Sequence, residues 1–228
     1  AASDVYKRQI PEGEQEKFDA LPPEFSQLYL AIDGVLSAVL CISDPVREEA
    51  KDVLSALRGL GVKNAVMLTG DSPRTATAIA KELGVDDFRA GVLPADKADY
   101  VSALRREGHT VLMVGDGIND SPALSEADAG IAISDGAAIA REIADITIAA
   151  DSLWELVRLR QLAMALMNRI QNNYRFVIGF NGALIGLGVA GILPPATSAM
   201  LHNLSTLGVS IHSMSTLPVA RQETKVPN

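Results

Sequence analysis

Residues 114–122, VGDGINDSP, constrain the fold more tightly than any other stretch of the chain. They follow an apolar run at 110–113 and lead into helix-forming residues, so a buried strand should end in a Gly-rich turn and pass into a helix. Gly115 and Gly117 allow a tight turn and close approach of the backbone to a ligand. Asp116 and Asp120 offer hard oxygen ligands of the kind Mg2+ selects. An ordinary strand-to-helix turn with two solvated carboxylates would use the same residue types, but the length and order of this string favour phosphate or metal chemistry.

The alternation continues along the chain. Short apolar runs at 65–68, 89–92, 129–133 and 146–149 alternate with helical patterns at 48–60, 73–83, 94–106, 123–127 and 137–143. This predicts an α/β fold built on a parallel, Rossmann-like sheet with helices on both faces. Open sheets of this kind bind ligands beyond the carboxyl ends of their strands. Two more candidate loops fall there. Thr69-Gly70-Asp71 follows one strand and faces a helix N-terminus, where unpaired N–H groups and the helix dipole attract an anion. On their own these three residues are weak, because turns and caps use them too. Lys97 lies in the first turn of a helix opened by Leu93-Pro94-Ala95-Asp96, where a cation opposes the dipole, and a functional role is favoured over a surface lysine.

Upstream, runs at 28–32 and 35–42 flank Asp33-Gly34 and predict an antiparallel hairpin. Asp44 then stands before Pro45, well placed to cap the next helix. Cys41 has no partner cysteine, which excludes a disulfide framework and fits a reducing compartment; we expect it to be a small buried core residue. Residues 1–26 open on AASDVYKRQ, match nothing that follows and gather prolines at 11, 22 and 23, so they read as a linker or a non-native start.

Charge separates the chain into two parts. The net charge is -8, which disfavours nucleic acid as a partner, yet from Asp151 onward three acids face six bases. Residues 151–175 form an amphipathic pattern carrying Arg158, Arg160, Arg169 and Arg175, which suits a stalk or a membrane surface. Residues 176–193 carry no charge, Pro194-Pro195 breaks the run, and 195–217 is again free of Asp, Glu, Lys and Arg. These lengths predict a pair of transmembrane helices within 176–218, the first near the lower limit for a core of ~30 Å and the second long enough to span it. A buried helical hairpin in a larger protein would give the same pattern. Arg169, Arg175 and Arg221 flank the pair while its turn has no base, so both ends, the acidic domain and the tail at 219–228 are expected in the cytoplasm of an integral (plasma) membrane protein.

GDGINDSP closely resembles the hinge motif of P-type cation ATPases, within the haloacid dehalogenase superfamily, and its Ile-Asn-Asp-Ser form is similar to the heavy-metal branch. Thr-Gly-Asp and the Pro-Ala-Asp-Lys helix stand in the family's order. The resemblance covers about residues 28–218. It implies a phosphorylation domain at 27–150, with the end of a nucleotide domain at 27–43 and a possible hinge at Asp44 and Arg47. It further implies ATP-driven transport of a transition-metal cation through an aspartyl phosphate, with ATP and Mg2+ as cofactors and a lipid bilayer around the helical pair. Carried over by position, Asp116 binds Mg2+, Asp120 and Asn119 order the site, Thr69 and Gly70 hold the phosphoryl group, Asp71 completes the Thr-Gly-Asp motif of the catalytic set, and Lys97 offsets the phosphoryl charge. Met200-Leu201-His202-Asn203-Leu204-Ser205-Thr206 resembles the ion-site segment of the last membrane helix, and Asn181 falls near a family Asn. Imidazole with hydroxyls suits a borderline divalent ion, although hydrogen bonding between helices would use the same groups.

The departures are large. The chain contains no Asp-Lys-Thr-Gly-Thr nucleophile motif, no actuator Thr-Gly-Glu and no Cys-Pro-Cys. The expectation is a C-terminal part of a longer pump, inactive alone, with the missing N-terminal portion as its partner. Two other classes stay open: a membrane-tethered phosphatase with Asp33 or another Asp as nucleophile, and a non-catalytic membrane module.

Overall fold

The computed structural model describes residues 20–21, 25–32, 35–42, 45–116, 119–133, 142–148 and 152–217. The chain divides into two compact units, Ala1–Glu155 and Leu156–Asn228.

The first unit begins with the expected hairpin, β1 (Ser26–Ile32) paired antiparallel with β2 (Val35–Ile42). Asp33, Gly34 and Asp44 lie outside the described residues. Leu28, Leu30, Ile32, Leu40 and Ile42 are exposed, and so is Cys41. The expectation of a buried thiol is therefore corrected: among the described residues the two-stranded ribbon has no further strand paired with it, and Cys41 stays exposed.

Next come α1 (Ala50–Gly59), β3 (Val66–Leu68), α2 (Pro73–Leu83), β4 (Asp87–Arg89), α3 (Pro94–Arg106), β5 (Leu112–Gly115), α4 (Ser121–Glu126), β6 (Ala129–Ile133) and β7 (Ile146–Ile148). Local chemistry sets their ends. In α2, the Ser72 hydroxyl caps the Thr75 N–H, Pro73 supplies a preset first-turn φ, and Gly84 closes the helix in the left-handed region at φ 67. β4 ends at Arg89 rather than near 92, because Gly91 turns the chain at φ 64 and the Val92 N–H then bonds the Thr69 carbonyl at 3.0 Å. The helical pattern expected at 137–143 lies outside the described residues up to 141.

All pairings among these later strands are parallel, as the alternation predicted, but they form two ladders. β3 pairs with β4, and β5, β6 and β7 form a three-stranded sheet in that order. Among the described residues, the second edge of β3 and the second edge of β5 have no strand beside them. The core of the larger sheet is Leu124 of α4 on Ala132 of β6, both fully buried, with Met113, Ile143 and Ala144 around them. Gly130 makes this fit possible, since a Cβ there would stand 2.5 Å from the Leu124 carbonyl oxygen. Leu112 and Val114 on the other face of β5 stay 49% and 37% exposed.

The second unit holds α5 (Trp154–Val189) from Leu156 onward and α6 (Pro195–Ser213). α5 is one uninterrupted helix across the amphipathic and uncharged patterns. Gly191, at φ 71, turns the chain, and α6 returns antiparallel. Polar bonds mark the pairing. Asn173 Nδ2 donates to Ser213 Oγ at 2.9 Å, and Arg169 donates to the carbonyls of Ser213, Ser215 and Thr216 at the end of α6.

The expected transmembrane pair is not shown: among the described residues no helix is long and apolar enough to cross a membrane. In α5 the uncharged part runs from Phe176 to Val189, about 21 Å at 1.5 Å per residue, against a hydrocarbon core of ~30 Å. α6 comes closer in length, but Thr197, Ser198, His202, Asn203, Ser205, Thr206, Ser210, His212 and Ser213 lower its apolar character.

Candidate functional site

The carboxyl end of β5 carries the loop that dominates the sequence. Asp120 stands just before α4, and Lys97 sits in the first turn of α3, so the N-termini of two helices meet here. The Lys97 Nζ lies 2.7 Å from Asp120 Oδ1, with the two side chains only 13% and 15% exposed. The amine that opposed the helix dipole is thus held by a carboxylate from the neighbouring helix. Asp96, one residue earlier, satisfies the start of α3 by accepting the Leu93 N–H at 3.2 Å.

Gly115 explains how Asp120 reaches this place. A Cβ at 115 would lie 2.6 Å from Asp120 Oδ2 and 2.8 Å from its Cβ. The glycine is needed because the Asp120 carboxylate lies over the strand end. Asp116 is exposed at the start of the turn, and the Asn119 N–H points to its Oδ1 at 3.4 Å, a long contact. Gly117 and Ile118 lie outside the described residues.

The Thr69 loop is built on itself. Thr69 Oγ1 donates to Asp71 Oδ2 at 2.8 Å and accepts from the Asp71 N–H at 3.1 Å. The backbone of Thr69 bonds the Arg89 carbonyl and the Val92 N–H, both at 3.0 Å, which ties the end of β3 to the segment leading into α3. Gly70 is exposed, and a Cβ there would meet only the Val92 carbonyl oxygen, at 3.8 Å. Of the residues predicted from sequence, Lys97 is joined to Asp120, Asn119 to Asp116, and Thr69 to Asp71.

In the second unit, His202 Nδ1 and Asn181 Oδ1 are 2.9 Å apart, across the two helices. Ser205 and Thr206 donate to the His202 carbonyl at 2.8 and 3.0 Å, so both hydroxyl protons are used within α6. Asn203 is exposed. Among the described residues no group of three or more His, Cys, Asp or Glu side chains could hold a metal ion.

One repeated device was not anticipated. Asp86 Oδ2 accepts the Ala65 N–H at 2.7 Å and bonds Arg58 at 3.0 Å, fastening the start of β3 to the start of β4. Asp128 does the same between β5 and β6, accepting the Val111 N–H at 2.8 Å and bonding Arg105 at 3.1 Å. In both cases the arginine stands in the last turn of the preceding helix. The backbone N–H and then the arginine hold each carboxyl group below the usual aspartate range. These staples lie at the amino ends of the strands, opposite the candidate site.

A family profile described as haloacid dehalogenase-like hydrolase matches residues 2–128. Over 187 residues, 82% of this chain, the sequence is 46% identical to a zinc-exporting P-type ATPase of Mycobacterium marinum (strain ATCC BAA-535 / M) and covers 26% of it. It is 45% identical to a manganese-exporting P-type ATPase of Mycobacterium leprae (strain TN), with the same shares covered. The crystal structure of a zinc-transporting PIB-type ATPase in its E2.Pi state superposes with a TM-score of 0.76 at 31% identity, covering 90% of this chain and 34% of that one. The chain thus spans about a quarter of the length of these curated relatives. The chain belongs to the haloacid dehalogenase-like hydrolase family, and the proteins it matches along most of its length include zinc- and manganese-exporting P-type ATPases.

Proposed function

We propose that this chain is the C-terminal part of an ATP-driven transition-metal pump, its first unit handling the phosphoryl group and its second contributing two helices to the membrane part. The observation that carries this reading is the Lys97–Asp120 pair beyond the carboxyl end of β5, a shielded amine and carboxylate in the loop that also carries the exposed Asp116.

In this reading, Asp116 and Asp120 hold Mg2+. The donor set suits that ion, which is commonly bound by one or two carboxylates, with waters and phosphate oxygens completing the shell. Mg2+ neutralises charge on the phosphoryl oxygens when bound. Asp120 presents Oδ2 while Oδ1 stays on Lys97, and Asn119 steadies the loop through its N–H. Thr69 turns its hydroxyl from Asp71 to the phosphoryl oxygen, Gly70 adds its N–H, and Lys97 balances the charge. The attacking carboxylate, on which ATP forms an aspartyl phosphate, belongs to a part of the pump outside this chain, as does the actuator. Among the described residues, the unpaired edges of β3 and β5 would leave room for such a strand.

The helical pair then lies among further helices of the pump. Ile185, Met200, Leu204, Leu207 and Ile211, between 55% and 67% exposed here, would pack against them or against lipid. Neither helix needs to be apolar all round when others cover its polar side. His202, with Asn181, Asn203, Ser205 and Thr206, lies on the path of the metal cation.

Binding of inorganic phosphate to the 228-residue chain, followed by 31P line broadening with and without Mg2+, tests the site. The expected result is Mg2+-dependent binding that falls at least tenfold in Asp116→Asn and in Lys97→Met; unchanged binding in both would overturn it. Incubation with Mg2+ and labelled ATP is expected to leave no acid-stable phosphate. Labelling at a carboxylate of this chain, or hydrolysis of a phosphomonoester by it, would replace the pump fragment with a phosphatase.

A further inference from the structure

We propose that Glu49 is a positioning residue whose carboxylate clasps the start of α5, 104 residues away in sequence, so that α1 and the first turn of α5 move as one body. The clasp stands on its own contacts. Its use as the grip of the phosphoryl-handling unit on the helix that continues into the second unit rests on the reading above.

Glu49 stands at the N-cap of α1, a place where a side chain commonly accepts an N–H of its own helix, yet it makes no such bond. Its carboxylate turns to α5 instead. Oε1 accepts the Leu153 N–H, and Oε2 accepts the Ser152 hydroxyl at 3.0 Å. Ser152 Oγ in turn accepts the Trp154 N–H at 3.3 Å, so carboxylate and hydroxyl together satisfy N–H groups that the first turn of α5 cannot pair within itself. Two helix N-termini thus share one negative charge, which suits both dipoles. Donors on successive residues hold both oxygens, which resists rotation as well as separation; a single bond would leave a pivot.

The other end of α1 is tied as well. Arg58, in its last turn, donates to the Gly84 carbonyl at the close of α2 at 2.7 Å and to Asp86 at 3.0 Å. The 10 residues of α1, ~15 Å at 1.5 Å per residue, therefore form a strut from the end of α2 to the start of α5. The backbone enters α5 from the side of β7, so side chains make this tie. α2 begins beside the Thr69 loop, with Ser72 as its cap, and the strut leads from that helix to one that runs without interruption to Val189.

Amide hydrogen exchange of the full chain in detergent micelles, read residue by residue by NMR without any ligand, tests the joint. Lys51, exposed in the first turn of α1, takes the perturbation. Lys51→Gly weakens α1 through helix propensity and should speed exchange at 53–57 about threefold; through the clasp, 153–157 should speed by a similar factor. In Glu49→Ala, exchange at 153–154 should itself rise about tenfold, and adding Lys51→Gly should then speed 53–57 alone. Glu49→Gln keeps an acceptor oxygen and should restore part of the coupling. Amides at 129–133 in β6 follow global opening, so loss of fold is seen separately. Unchanged exchange at 153–157 in Lys51→Gly would reduce Glu49 to a cap of α5 and overturn the proposal, and so would a response there that survives in Glu49→Ala. Phosphate binding decides the pump reading, and none of these outcomes touches it.

Discussion

The ammonium of Lys97 and the carboxylate of Asp120 meet at 2.7 Å across 23 residues of sequence, joining the first turn of α3 to the start of α4. Both side chains are largely shielded from water. Removing one partner strands the other charge, so Lys97→Met should cost about 3 kcal/mol in urea unfolding. The double variant with Asp120→Asn should recover part of that loss, with a coupling of about 1–3 kcal/mol. The single tryptophan, Trp154, provides the fluorescence signal. Additive losses would show that the pair contributes nothing as a pair.

Two glycines of the candidate site should respond differently to alanine. Gly115→Ala drives a methyl group into the Asp120 side chain, where the nearest atoms would be at 2.6 and 2.8 Å. It should destabilise the first unit by about 1–3 kcal/mol and break the contact with Lys97. Gly70→Ala meets nothing closer than 3.8 Å and should change stability by less than about 1 kcal/mol. Thermal melts of the two variants provide the comparison.

Acid should undo the strand staples before it reaches the core. Asp86 and Asp128 have folded-state pKa values below the unfolded ones, because the N–H groups of Ala65 and Val111, and then Arg58 and Arg105, favour the charged forms. Their stabilisation is therefore complete above the unfolded value of about pH 3.9 and is lost as pH falls through the lowered folded value. In the double variant Asp86→Asn/Asp128→Asn, the fall in stability on acidification should be shallower than in the parent. A pH series of urea midpoints reads this directly.

Arg169 should govern the end of α6. Its guanidinium donates to three carbonyls at and just beyond the end of the helix, those of Ser213, Ser215 and Thr216. Arg169→Ala should speed amide hydrogen exchange at 213–217 about tenfold, or ~1.4 kcal/mol, close to the lower end for hydrogen bonds to charged groups. Arg169→Lys should recover only part of the protection, since an ammonium cannot fork across three acceptors in the same way.

The sequence made the element order legible because its signals are local. Ser72-Pro73 and Gly84 bracket a helix by their own backbone preferences, and VGDGINDSP announces a strand, a turn and a helix in nine residues. What stayed hidden is set by pairing at a distance. Lys97 and Asp120 were both singled out, yet nothing in their spacing says that they touch. Asp86 and Asp128 resemble ordinary turn residues, and only the repeat of arginine, strand start and aspartate, visible once the strands are aligned, gives them away. Cys41 was misplaced because an apolar run does not reveal whether a second layer covers it. The helical pair was legible as two helices with a break at Pro194-Pro195, whereas its hydropathy lies below that of a membrane span because polar side chains line α6.

The two open strand edges give this chain a use in the laboratory. Parallel backbone left unpaired, among the described residues, along β3 and β5, beside apolar side chains such as Leu112 and Val114, is a template awaiting one more strand. Without it, such a template invites self-association, so purified material should clump as its concentration rises. Supplied in trans, a synthetic peptide of the right pattern should knit both ladders into one and suppress the clumping, making the chain one half of a two-piece reconstitution system.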